Sequence, residues 1–170
     1  ILIHYMRILG IDPGTALTGY AVIETGGRLG QKIEVLDMGC IRTEKTQSQR
    51  DKLVEIGRNI EELIENWNPS RAAVERLFFM QNVTTAVTVA EARGVIIETI
   101  AKKGIPCCEY LPREVKLAVC GNGSADKKAV QKMVQLIAKL GFKPKIDDAS
   151  DALAVAICHA QHYPIETLAA

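Results

Sequence analysis

The sequence predicts a single α/β domain. Short apolar runs with β-forming residues take turns with longer stretches of helical spacing, and neither a linker nor an internal repeat separates them. Apolar residues make up 48% of the chain and aromatics only 5%, a balance that fits a soluble α/β or α+β protein. At 170 residues the chain is long enough for one well-packed core and short for two. It divides into an extension of unknown origin over residues 1–5, upstream of Met6, a single domain over residues 6–163, and a short tail over residues 164–170.

The first strand holds Ile8, Leu9 and Ile11, β-formers in a short apolar run that reads as buried and central. Asp12 ends it, and Pro13-Gly14 turns the chain. A second run from Thr18 to Ile23 starts four residues later, a spacing that suits an antiparallel hairpin. Partial alternation from Lys32 to Ile41 predicts a third strand. From Gln47 to Trp67, apolar residues at Leu53, Ile56, Ile60, Leu63, Ile64 and Trp67 give a helical stripe that Asn68-Pro69-Ser70 ends. Ala72-Ala73-Val74 is a short strand running into Glu75.

A long helix from Gln81 to Lys103 carries two apolar stripes. Val83, Val87, Ala90, Gly94 and Ile97 form one; Ala86, Val89, Ile96 and Ile100 form the other. One stripe suffices to meet the sheet, so the second predicts a partner helix, within the fold or from a second subunit. Val89 and Ile96 are read as facing outward. After Gly104-Ile105-Pro106, Cys107 to Leu111 predicts a fifth strand, and Pro112 opens a short helix to about Val119. Beyond the Gly121-Asn122-Gly123 loop, Ser124 is expected to cap a helix from Ala125 to Leu140. The last helix runs from Asp148 to about His162, and its small side chains permit close packing on the sheet.

The net charge of +1 hides an asymmetry. Between Arg113 and Lys145, eight basic residues (Lys116, Lys127 and Lys128 among them) face only Glu114 and Asp126, a local +6 that leaves −5 elsewhere. Such a basic surface predicts a polyanion partner. The five cysteines (Cys40, Cys107, Cys108, Cys120, Cys158) are odd in number and lack C-x-x-C spacing. They read as reduced core residues of a cytoplasmic protein rather than a zinc site. No apolar run approaches the ~20 residues of a membrane span, and no leader pattern precedes the first strand.

Four carboxylates stand in unusual places. Asp12 and Glu75 end apolar strands, where burying a lone charge costs several kcal/mol unless something pairs with it. Asp148 and Asp151, three residues apart, share one face of a helix's first turn, where the helix dipole favours their ionised form. Asp147 could be that helix's cap, or could approach a ligand site at i, i+4 from Asp151. If the strands ending at Asp12 and Glu75 are parallel neighbours, the two acids meet and raise each other's pKa unless cations neutralise them. All-oxygen ligands select Mg²⁺ or Mn²⁺ over zinc. His4, His159 and His162 are poorly placed to join, His159 lying ~12 Å along the helix beyond Asp151.

Gly10-Ile11-Asp12-Pro13-Gly14 with Thr18-Gly19-Tyr20 resembles the first motif of the RuvC family of Holliday-junction resolvases. In order along the chain, Gly39-Cys40-Ile41-Arg42-Thr43, Ala73-Val74-Glu75-Arg76-Leu77-Phe78, Ala92-Arg93-Gly94, Arg113-Glu114-Val115-Lys116, Gly121 to Lys127 and Asp148 to Ala154 resemble its later motifs. The resemblance runs from Met6 to about His162. It implies a ribonuclease-H-like fold, a mixed five-stranded sheet flanked by helices on both faces, and a homodimer. It implies an endonuclease that resolves four-way junctions by paired symmetric nicks in recombination and repair. Asp12, Glu75, Asp148 and Asp151 become the expected catalytic acids and ligands of two Mg²⁺ ions, for which Mn²⁺ can substitute. Lys116 and Lys127, with Lys128 and Arg113, are expected on DNA phosphates. Phe78 is expected to stack on an unpaired base, and Phe79 to pack in the core. A branch-migration motor of the RuvA and RuvB type is the implied partner. The chain departs from the pattern in its first five residues, in the extra Asp147 and in a tail without basic residues.

Two rival readings come from other classes. The Gly10–Thr15 stretch also resembles the phosphate-binding hairpin of actin-like and heat-shock-chaperone ATPases. Those need two such domains, and this chain holds one. A non-catalytic nucleic-acid-binding relative would be expected to have lost an acid, and all four are present.

Overall fold

The expected hairpin and five strands build one mixed sheet. In the computed structural model, which describes residues 5–26, 32–77, 83–140 and 147–162, β1 (Tyr5–Asp12), β2 (Leu17–Gly26) and β3 (Lys32–Arg42) run antiparallel in turn. On the other side of β1 lie β4 (Arg71–Glu75) and β5 (Cys107–Tyr110), both parallel to it, giving the order β3-β2-β1-β4-β5. The central strand is therefore the one that ends in Asp12.

The pleat of β1 divides the core. Met6 and Ile8 point to the face covered by α3 (Pro112–Cys120), α4 (Lys127–Ile137) and α5 (Asp147–His162). Leu9 and Ile11 point to the face covered by α1 (Gln49–Trp67) and α2 (Val83–Lys102). Helix α5 is apolar nearly all round because it lies between the sheet and α3 and α4, burying Ala152 through Cys158 without a break.

Three expectations need correction. Helix α1 begins at Gln49, two residues later than its periodicity suggests, because Ser48 accepts the Asp51 N–H at 3.1 Å and caps it. Helix α4 is capped by Asp126 rather than Ser124: the Asp126 carboxylate accepts the Ala129 N–H at 2.8 Å. Ser124 is still in the preceding turn, its N–H held by Asn122 Oδ1 at 2.9 Å. The outward stripe of α2 is also the opposite one. Val89, Ala92, Ile96 and Ile100 are buried against the sheet, whereas Val87, Ala90 and Gly94 are exposed. Helical spacing supplies two stripes, but the rotation that chooses between them comes from packing against β5 and α1. All five cysteines are free thiols: Cys158 lies in the core, Cys107, Cys108 and Cys120 are partly buried against it, and Cys40 is half-buried.

Candidate active site

Parallel pairing brings the first two acids together. Ile11 aligns with Val74, so the next residues, Asp12 and Glu75, leave the sheet side by side at the same end. The hairpin after Asp12 is fixed by Thr18, fully buried, whose hydroxyl donates to the Gly14 carbonyl at 2.5 Å. Thr43 at the end of β3 secures the same loop, donating through Oγ1 to Thr15 O at 2.8 Å.

Two glycines then bring α5 down onto this corner. A Cβ on Gly19 would lie 2.1 Å from the Asp148 carbonyl oxygen, and one on Gly10 would lie 2.4 Å from that of Ala152. Neighbouring strands without side chains at these points let the first turns of α5 rest on backbone. One carboxylate oxygen from each of Asp12, Asp148 and Asp151 consequently falls within 4.8 Å of the others.

The electrostatics follow from that crowding. Burial raises the Asp12 pKa far above the carboxylate range, to about 8, and the charges of Glu75, Asp151 and Asp148 push the same way. Burial also raises Glu75, as does Asp151, while its hydrogen bond with Asp12 and the charges of Lys116 and Lys127 pull it back. In the metal-free protein, then, a proton on Asp12 donated toward Glu75 offsets part of the excess charge. A hard divalent cation fits this donor set: all ligand atoms are carboxylate oxygens, and the charge a proton offsets is the charge a cation would neutralise.

Beside the acids opens a cleft of about 210 Å³ lined by Glu75, Pro112, Val115, Lys116, Lys127 and Asp151, among others. Lys127 Nζ stands 3.1 Å from Asp151 Oδ2. Lys128, the next residue of α4, is exposed outside the cleft, and Arg113 is exposed on α3 with its Cγ against Gly123. Asp147 opens α5, but its side chain, like Phe78 and Phe79, lies outside the described residues. His159, eight residues beyond Asp151 on α5, sits in a different environment. Buried against Tyr110, whose hydroxyl lies 2.8 Å from its Nδ1, it is held neutral by desolvation with a pKa lowered to about 4.

Two features were not legible in the sequence. Cys40 on β3 turns its thiol toward the Ala149 backbone at the start of α5, where burial and then the Asp148 charge raise its pKa. Arg93 of α2 bonds the Glu109 carboxylate of β5, and Arg76 Nε reaches the same carboxylate at 4.0 Å. That bridge ties the residue after Glu75 to the sheet's edge and to α2. No local spacing announces either contact, because each joins elements far apart in the chain.

Comparison with known proteins adds an independent observation. The family model described as crossover junction endodeoxyribonuclease RuvC matches residues 8–159. The chain is similar to the crossover junction endodeoxyribonuclease RuvC of Moorella thermoacetica, with 50% identity over 94% of this chain and 93% of that protein. To its counterpart from Chloroflexus aggregans it is 46% identical, over 94% of this chain and 95% of the other. Among solved structures, Thermus thermophilus RuvC in complex with a Holliday junction substrate superposes with a TM-score of 0.86 at 30% identity, covering 94% of this chain and 99% of that one.

Proposed function

The chain belongs to the RuvC family of crossover junction endodeoxyribonucleases, and from that footing we propose that it resolves four-way DNA junctions by paired, Mg²⁺-dependent nicks. The observation that carries the chemistry is the meeting of Asp12, Asp148 and Asp151 oxygens within 4.8 Å, with Glu75 beside them on the adjacent strand end. A phosphodiester is anionic and repels a nucleophile, so this density of acids is useful for cleavage only together with cations. Two divalent ions held there would supply charge neutralisation on both sides of the phosphorus, an activated water and a stabilised leaving 3′-oxygen.

The residues divide the remaining work. Asp12, at the tip of the central strand and between the other acids, is the candidate bridging ligand. Glu75 would hold the ion on the leaving-group side, and Asp148 with Asp151 would hold the one on the water side. Lys116 and Lys127 line the cleft beside these acids, where each can meet a phosphate oxygen of the bound strand; Lys128 and Arg113 extend the basic surface outward. Phe78 follows the Glu75 motif and is the candidate for stacking on an unpaired base. The ATPase reading has no support of this kind.

Resolution needs two nicks placed symmetrically about the crossover, which an isologous homodimer provides in one binding event. The exposed Val87, Ala90 and Gly94 face of α2 is the candidate interface. Among the described residues no helix is long and apolar enough to cross a membrane; we place the protein in the cytoplasm, working with a RuvA and RuvB type motor. The deciding experiment compares a synthetic four-way junction with a linear duplex of the same sequence, in Mg²⁺, Mn²⁺ and EDTA, with cut sites mapped. Metal-dependent, symmetric cuts confined to the junction are expected. Equal cutting of both substrates would instead mean a general nuclease.

A further inference from the structure

Lys127 occupies a position with two claims on it. It is the first residue of α4, oriented by the Asp126 cap, and its ammonium lies 3.1 Å from Asp151 Oδ2 in the cleft that also holds Glu75 and Lys116. Asp151 in turn supplies one of the three carboxylate oxygens that converge within 4.8 Å. An ammonium at that distance from a half-buried carboxylate is a monovalent counter-ion for it. A divalent cation bound to the same carboxylate would stand within a few Å of Nζ, and two cations that close repel.

We propose that Lys127 is a tethered counter-ion of the metal-free site, and that its ammonium must leave Asp151 before a divalent cation can be held there. This rests on the metal reading given above and goes beyond it. Lys127 then lowers the affinity for metal in the absence of DNA, while the displaced ammonium becomes available to a phosphate. Loading with cation and engagement of the substrate backbone are thereby linked through one side chain. Lys128, one residue on and outside the cleft, carries the same charge without the contact and serves as the control for generic electrostatics.

The test is calorimetric titration of the full chain with Mn²⁺, without DNA, at constant pH and ionic strength. Lys127→Met should bind Mn²⁺ about three- to tenfold more tightly than the unmodified protein, the range expected when a pair between a half-exposed lysine and a carboxylate is removed together with direct repulsion of the metal. Lys128→Met should change affinity by less than about twofold, since a solvent-screened charge farther off acts weakly. In an Asp151→Asn background the gain from Lys127→Met should shrink, because the competing contact is already gone. Unchanged or weaker Mn²⁺ binding in Lys127→Met, with the unmodified protein binding normally, would overturn the counter-ion role alone. Failure of the unmodified protein to bind Mn²⁺ at all would overturn the metal reading and this proposal with it.

Discussion

Gly10→Ala changes one hydrogen atom for a methyl group and should damage both stability and chemistry. The added carbon would lie 2.4 Å from Ala152 O, 2.7 Å from Ala156 Cβ and 2.8 Å from Ala156 N. Ordinary contact begins near 3.4 Å, so α5 must withdraw from β1 by about 1 Å. Neither partner can yield alone, since one is the central strand and the other a helix buried between sheet and helices. Overpacking of this kind costs about 1–3 kcal/mol. With a typical urea dependence of about 2 kcal/mol per molar for a small domain, the unfolding midpoint should fall by about 1 M. The same withdrawal carries Asp148 and Asp151 away from Asp12, and a displacement of about 1 Å in a catalytic constellation can cost on the order of a hundredfold in rate. Junction binding should change little, because the basic residues of α3 and α4 do not touch Gly10. The assay pairs urea unfolding with single-turnover nicking of a saturated junction. A midpoint unmoved and a nicking rate within about threefold of the unmodified protein, beyond what the ~1 Å argument permits, would show that α5 does not need this close seat.

Three further outcomes are expected. Asp12→Asn, Glu75→Gln and Asp151→Asn should each abolish nicking while retaining junction binding in a gel-shift assay, since lysines rather than acids carry phosphate affinity; full nicking in any of them removes that acid from the site. Burial and the neighbouring acids push the Asp12 pKa up to about 8 in the folded protein, far above the ordinary carboxylate range, so the folded state holds an extra proton across that window and metal-free stability falls as pH rises through it. Measured in EDTA from about pH 6.5 to 8, above the range where His159 gives the opposite slope, the urea midpoint should fall. Asp12→Asn should flatten that slope and gain on the order of 1–2 kcal/mol at the upper end; a slope unaltered by the substitution would assign it elsewhere. On α2, Val87→Asp at the exposed face should yield a folded monomer by sedimentation that nicks poorly. Ile96→Asp, fully buried, should unfold the domain, because an unpaired charge in a core costs several kcal/mol.

Strand and helix order and the candidate acids could be read from the sequence, while the mixed sheet entered only through the family resemblance. Apolar periodicity is written locally, and so are motifs such as Gly10 to Gly14 or Ala73 to Phe78. A carboxylate at the end of an apolar strand announces itself, because no cheap structural reason puts it there. Tertiary structure alone decided which stripe of α2 faces the sheet, that Asp126 rather than Ser124 caps α4, and that Lys127 meets Asp151. It also decided how closely α5 seats on Gly10 and Gly19, the contact that brings Asp148 and Asp151 to Asp12. Period fixes that a helix has an apolar face, but not its rotation or its depth. Those depend on the shapes of elements dozens of residues away, which meet only when the chain is folded.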